Sequence, residues 1–401
     1  MSPQIRRADL AYVVAILLGV LFVIFLGPLE RRLEILHIND FSGFWAGPRA
    51  VLAGVSPWDP ANYPAARIAF DTQRDDASVL NYMPWTVIAL LPLGLLPLDV
   101  AAWIWMAVSM ICAAVALRAL LREFVPGRAV IHGLLGLALF AGQPGFHTIV
   151  LGQWALLLMS AVAAIVLAVR AGHARRAGFA ALAFLAKPQL FVWTALGLAI
   201  PALFDTRYRR FVAFAIVLAG ALVVSAWLAY PQWFPAWLSD IPARRTGRSA
   251  VLLSAFGQLL GTPGRFLAIA VIGVGLVLAS RFVPGSDSWL AVWLAFSSAG
   301  AIYSWSYDHV LLFVPLVIAS GVLAAAGRER AAKRLAIAGA LTLLLVSPIF
   351  YAVGVLRHDE TFSIAVPVAF FIAIVWSLWP YRRDVLPEGS PVASLQVQAQ
   401  G

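Results

Sequence analysis

The chain of 401 residues holds one cysteine, Cys112, inside an apolar stretch, so it can build neither an intramolecular disulfide framework nor a cysteine-based metal cluster. Charge is scarce as well. Asp, Glu, Lys and Arg make up 12% of the residues against 62% apolar ones, at a mean hydropathy of +0.87. A soluble globule carries about 25% charged residues, so that class is excluded. The alternating pattern of a transmembrane β-barrel is missing too. What remains is an all-α polytopic membrane protein.

Stretches such as 10–29 (LAYVVAILLGVLFVIFLGPL) and 335–353 (LAIAGALTLLLVSPIFYAV) are long enough to cross ~30 Å of hydrocarbon as helices that satisfy their own backbone groups. Residues 10–29 have no small-residue cleavage site and exceed a signal-peptide core, so they read as a retained first span. The net charge of +10 could point to nucleic acid, but the cations fall in short clusters between spans, not in one stripe. Topology explains them better. About twelve spans, near 10–29, 99–117, 129–142, 153–169, 178–187, 189–204, 211–229, 265–281, 288–302, 309–326, 335–353 and 362–379, put eighteen of the 29 Lys and Arg on one side. The positive-inside rule makes that side the cytoplasm, with both termini on it. The stretch 84–97 (PWTVIALLPLGLLP) is short and broken by prolines and reads as re-entrant or interfacial. Residues 1–384 form one membrane domain, and the tail 385–401 lacks apolar periodicity and reads as disordered.

The two long loops, 30–83 and 230–264, then fall outside. The first holds seven acids (Glu30, Glu34, Asp40, Asp59, Asp71, Asp75, Asp76) and two expected short helices, 41–53 and 61–73, the latter entered through Asp59-Pro60. Its Trp45, Trp58, Tyr63 and Tyr82 suit an interfacial aromatic belt. Other polar groups converge on the same face: Gln143, His147 and Gln153 in 142–154 (GQPGFHTIVLGQW), and Asp308 and His309 in 303–309 (YSWSYDH). Lys187-Pro188-Gln189 breaks an apolar run, and a cation there is costly unless it faces water, a carboxylate or a phosphate.

The ordered set NDFSGFWAGPRAVLAGVSPWDP (39–60), NYMPW, LGQW, LAKPQ and SWSYDH resembles glycosyltransferase family 87, over residues 36 to 315. That family comprises polyprenol-phosphate-mannose-dependent mannosyltransferases of the GT-C class, including those that build phosphatidylinositol mannosides. The resemblance implies a GT-C-type bundle with interfacial helices in the first outer loop, a lipid-linked sugar donor, a glycolipid or glycan acceptor arriving from outside, and a catalytic Asp at Asp40. By the same carry-over Lys187 and His309 look like donor-phosphate groups, and Tyr82, Gln153 and Asp308 like substrate contacts. The chain departs from the family where Tyr82-Met83-Pro84-Trp85 replaces paired prolines. Residues 143–152 also lack the acid that many metal-using GT-C enzymes carry, so neither a metal nor another cofactor is expected.

The chemistry also follows without the family. An acceptor hydroxyl attacking an anomeric carbon needs a general base, which one placed carboxylate supplies. The leaving phosphate is already anionic and needs cationic or hydrogen-bonding support instead of an acid. Single displacement inverts the anomeric centre, so the β-linked donor that the resemblance implies would yield an α-linkage. Competing readings attach to each residue: Asp40 and Asp59 as helix caps, Lys187 as a snorkelling cation, His309 as a loop-bonding side chain, and Arg244, Arg245 and Arg248 as a solvated run or an anion attractor. A lipid-glycan transporter or flippase would need ionisable groups at span midpoints and an internal repeat, and neither is seen. An envelope-assembly protein would not require four polar segments at one level. The expected setting is therefore the plasma (inner) membrane, with the active site extracytoplasmic. A compact span cluster with short cytoplasmic loops is consistent with a monomer, and no nucleic-acid partner is expected.

Overall fold

The computed structural model describes residues 2–32, 40–70, 72, 79–240 and 248–383, and every regular element among them is helical. The tail 385–401, Glu34, Asp71, Asp75 and Asp76 of the first long loop, and Arg244 and Arg245 of the second lie outside those residues. The helices are α1 (Pro3–Arg32), α2 (Asp40–Leu52), α3 (Tyr63–Ala69), α4 (Pro84–Gly94), α5 (Leu98–Phe124), α6 (Ala129–Ala141), α7 (Gln143–Leu151), α8 (Ala155–Arg170) and α9 (Ala174–Ala181). They continue as α10 (Pro188–Ala199), α11 (Thr206–Ala229), α12 (Trp233–Asp240), α13 (Leu252–Ala279), α14 (Asp287–Ala299), α15 (Phe313–Ala325), α16 (Glu329–Leu341), α17 (Ser347–Arg357) and α18 (Ala365–Leu378). A π-turn, Thr342–Val346, joins α16 to α17.

Among the described residues, eight stretches are long and apolar enough to cross a membrane: Pro3–Gly27, Leu98–Phe124, Ala129–Leu151, Thr206–Ala229, Leu252–Ala279, Ser306–Ala325, Glu329–Arg357 and Thr361–Tyr381. The other four expected spans are shorter helices. The 16 residues of α8 and the 13 of α14 stop at Ala171 and Gly300. The pair 178–187 and 189–204 is cut up by a 3-10 turn over Leu182–Ala186, by Lys187 and by Pro201. The stretch 84–97 contains α4, whose 11 residues are too few to cross.

Burial separates an inner from an outer layer. The windows Ala129–Leu151 and Ser306–Ala325 are each 83% buried, whereas Thr206–Ala229 is 11% buried at a hydropathy of 2.5. Residues such as Leu228 (77% exposed) and Val217 (67%) leave an apolar face that a soluble chain could not present to water. That outer layer meets lipid. Inside, helices approach through small residues: a Cβ at Gly136 of α6 would stand 3.0 Å from the Tyr12 ring of α1, and the Tyr12 hydroxyl reaches the Ala114 carbonyl at 2.6 Å.

The basic clusters gather at one end of the bundle. Arg122 at the end of α5 donates to Asp9 of α1 at 3.0 Å, and Arg128 before α6 donates to Glu329 of α16 at 3.0 Å. Arg170 at the end of α8 bridges Glu123 and Asp287, and Arg207 pairs with Asp205 at 2.7 Å. These pairs tie together the same ends of α1, α5, α6, α8, α14 and α16 and leave the opposite ends to the groups described next.

Candidate active site

Asp40 is the first residue of α2, half-buried, and its carboxylate accepts a hydrogen bond from the Gln153 amide. Both positions are set from elsewhere. The Trp45 indole of α2 donates to the Leu93 and Leu96 carbonyls at 3.1 Å each, which pins α2 to α4. Gln153 follows a turn closed by Gly152 at φ 70°, and the Gly152 carbonyl accepts from the Trp105 indole of α5 at 2.7 Å. Aromatic rings wall the pair: Phe41 stacks on Trp105 at 5.8 Å, Trp105 meets Trp154 edge-on at 4.7 Å, and Phe44 meets Tyr82 edge-on at 4.7 Å.

A second pair lies close by. Lys187, in the break before α10, reaches the Asp308 carboxylate at 3.0 Å, and both are buried, at 5% and 3% exposure. Asp308 belongs to a 3-10 turn, Ser306–Leu312, and its other oxygen accepts the Trp305 N–H at 3.1 Å. Tyr307 connects the two pairs. Its ring lies 4.6 Å under the Lys187 ammonium, and its phenol is within electrostatic range of Asp308, Asp40, Tyr82 and Tyr303. His309 is enclosed, and neither ring nitrogen has a hydrogen-bond partner among the described residues.

Behind the same turn runs a polar network that the sequence reading only half identified. Gln143 donates to Ser306 at 2.9 Å, contacts Nδ1 of His147 at 2.9 Å and accepts from Ser347 at 2.6 Å. The Ser306 N–H in turn donates to Glu360 at 2.8 Å, in the loop between α17 and α18. Burial pushes the Glu360 carboxyl above the ordinary glutamate range, against the Ser306 hydrogen bonds, which favour the ionised form. Glu360 went unread in the sequence. The adjacent acids in HDETFS, between two apolar runs, were the available signal.

The structure therefore brings five of the six expected residues, Asp40, Gln153, Tyr82, Lys187 and Asp308, around Tyr307, and encloses His309 next in the chain. One expectation changes. Trp45, Trp58 and Tyr63 are 6%, 2% and 1% exposed, packed against protein rather than forming a lipid-facing belt: the Trp45 indole donates to the Leu93 and Leu96 carbonyls and the Trp58 indole to the Tyr82 carbonyl, each at 3.1 Å. Asp59 holds the turn that leads into α3, whose N-cap is Asn62: its carboxylate accepts from Ala61 N–H at 2.9 Å and from the Asn62 amide at 2.6 Å, and these bonds, Asn62 first, hold it below the usual carboxylate range. Among the described residues no group of three His, Cys, Asp or Glu side chains is gathered closely enough to hold a metal ion. Open grooves of 810 and 730 Å3 lie at the basic end instead, away from Asp40.

A multi-pass membrane helix bundle with a carboxylate–amide pair and a buried ion pair at the end opposite its basic clusters is the class these features define. Residues 80–348, two thirds of the chain, match the model of glycosyltransferase family 87, and the chain belongs to that family, which makes it a glycosyltransferase. No curated protein and no solved structure matches it. The matched segment holds Tyr82, Gln153, Lys187, Asp308 and His309. Asp40 lies upstream of it and enters the site through its contact with Gln153.

Proposed function

We propose that the chain is an inverting GT-C-type transferase that moves mannose from a polyprenyl-phosphate donor to a hydroxyl of an envelope glycolipid or glycan. The observation that carries this reading is the pairing of Asp40 with Gln153 beside Tyr307, which also neighbours the Lys187–Asp308 pair. Asp40 is the general base. It takes the acceptor proton as the acceptor oxygen bonds to the anomeric carbon, and the bond from that carbon to the phosphate oxygen breaks with its electrons left on the phosphate. Gln153 orients the carboxylate by donating to it. Lys187, drawn from Asp308, answers the charge that builds on the leaving phosphate, and Tyr82 and His309 contact the substrates. The chain crosses the membrane about twelve times, its short helices pairing with the breaks at Lys187 and Gly300. The basic end faces the cytoplasm and the site faces the extracytoplasmic side.

The test is transfer of label by purified protein in lipid, from radiolabelled polyprenyl-phosphate-mannose to envelope glycolipids, comparing the native chain with Asp40→Asn. Transfer by the native chain alone, with donor binding kept in the variant, supports the reading. Full transfer by Asp40→Asn moves the base elsewhere, and no transfer by either protein removes the mannose donor from the assignment.

A further inference from the structure

The larger groove at the basic end lies between α16 and α18 and has a volume of 810 Å3. Its rim carries Arg328, Arg330 and Arg334, all exposed, and its lower wall is apolar, made by Leu335, Ala338 and Trp376. The acid in the rim, Glu329, is already spent on Arg128, whereas the three arginines form no ion pair among the described residues. Trp376 is 83% exposed near the basic end of a stretch that is otherwise apolar and membrane-spanning in length, a position suited to the interfacial layer that Trp favours. At 1.5 Å per residue, Arg330 stands ~25 Å along the helix from Ser347 in the polar network, so the groove is separate from the transferase site.

We propose that this groove seats an anionic glycerophospholipid, its phosphate on the three arginines and one acyl chain along Leu335, Ala338 and Trp376. Charge complementarity selects the headgroup, and the continuity of the arginine rim with an exposed apolar wall selects a lipid over a soluble phosphate. A zwitterionic lipid brings its own cation to the arginines and binds less well. Each arginine near a membrane surface contributes roughly a fivefold preference for anionic lipid.

The experiment extracts the native chain and the variant Arg328→Gln/Arg330→Gln/Arg334→Gln from vesicles of phosphatidylcholine and phosphatidylglycerol in equal amounts. Native mass spectrometry counts the lipids retained on each. Expected is retention of phosphatidylglycerol over phosphatidylcholine by at least roughly tenfold on the native chain, lost in the glutamine variant and restored in the corresponding triple Lys variant. Equal retention of both lipids by the native chain overturns the proposal, as does an unchanged preference in the glutamine variant. Displacement of phosphatidylglycerol by millimolar glycerol phosphate also overturns it, because the groove would then recognise a free phosphate. Loss of the fold is read separately from the helical circular dichroism of the variant. Failure here leaves the transferase reading untouched, since sugar transfer is not the readout.

Discussion

Lys187 and Asp308, 121 residues apart in the chain, form a 3.0 Å ion pair with both side chains nearly excluded from solvent. Such a pair gives little net stability over an apolar pair of the same size, yet removing one partner strands a buried charge and costs about 3–5 kcal/mol. Lys187→Met and Asp308→Asn are therefore expected to destabilise strongly when made singly. The double variant should recover most of that loss, because the new asparagine keeps an oxygen for the Trp305 N–H. A thermal-unfolding mutant cycle in detergent checks this, and additive losses would contradict it. If Lys187 carries the donor phosphate, the stable double variant still transfers no sugar.

The Asp40–Gln153 contact leads to a sharper kinetic expectation. Removing a positioned general base lowers the rate by about 10²–10⁴-fold, which is the loss expected for Asp40→Asn at unchanged donor affinity. Gln153→Glu sets a second carboxylate against the first. Like charge disfavours ionisation, so the pKa of the base rises and the acidic limb of the pH–rate profile moves to higher pH. A profile that keeps its acidic limb while the rate falls would assign Gln153 a packing role alone.

How much of this was legible in the sequence depends on the distance over which each feature acts. Apolar runs and arginine clusters are local, and they returned the helical class, the long spans and the gathering of basic ends that Arg122–Asp9 and Arg128–Glu329 display. Asp40, Gln153, Lys187 and Asp308 could each be named as polar residues at one level. That they meet pairwise, 113 and 121 residues apart, could not be read from spacing. Trp45 and Trp58 read as belt residues because composition cannot tell an indole facing lipid from one bonded to a backbone carbonyl inside the protein. Trp105 and Trp154 lie in or beside apolar runs and gave no sign that they wall the site. Where a 3-10 turn or Gly300 ends a helix inside an apolar run, hydropathy alone does not mark the stop, and α8, α10 and α14 come out shorter than the runs that hold them.

The placement of α2 can be tested through glycine. A Cβ on Gly94 of α4 would stand 2.8 Å from the Pro48 side chain and 3.1 Å from the Arg49 backbone nitrogen, both in α2. Backbone cannot step aside as a flexible side chain can, so Gly94→Ala should cost about 1–3 kcal/mol and tilt the helix that begins at Asp40. Transfer should fall with it. Gly220 of α11 has nothing within 4 Å, and Gly220→Ala should be neutral or stabilise by up to ~1 kcal/mol through helix propensity. Equal melting temperatures for the two variants would show that α2 and α4 are not held as closely as the contact implies.

Glu360 offers a pH-dependent test. Its carboxyl is pushed up by burial, and the groups facing it are the Ser306 N–H, His147 and Asp308. For an acid whose folded pKa lies above its unfolded one, the folded state binds the proton more tightly. The associated stability is present below the unfolded value of 4.5 and is lost as pH rises through the folded pKa. Glu360→Gln keeps an oxygen for the Ser306 N–H and removes the charge that must be ionised in a half-buried site. The melting temperature of the native chain relative to Glu360→Gln should therefore fall as pH rises above 4.5 and level off once the folded carboxyl is ionised, at about 1.4 kcal/mol for each unit by which burial raises the pKa. Glu360→Ala behaves differently: it leaves the buried Ser306 N–H without its acceptor and loses about 1–3 kcal/mol at every pH. A pH-independent difference between the native chain and Glu360→Gln would mean that the carboxylate stays solvated, and that the Ser306 turn carrying Asp308 is held by the Gln143 network alone.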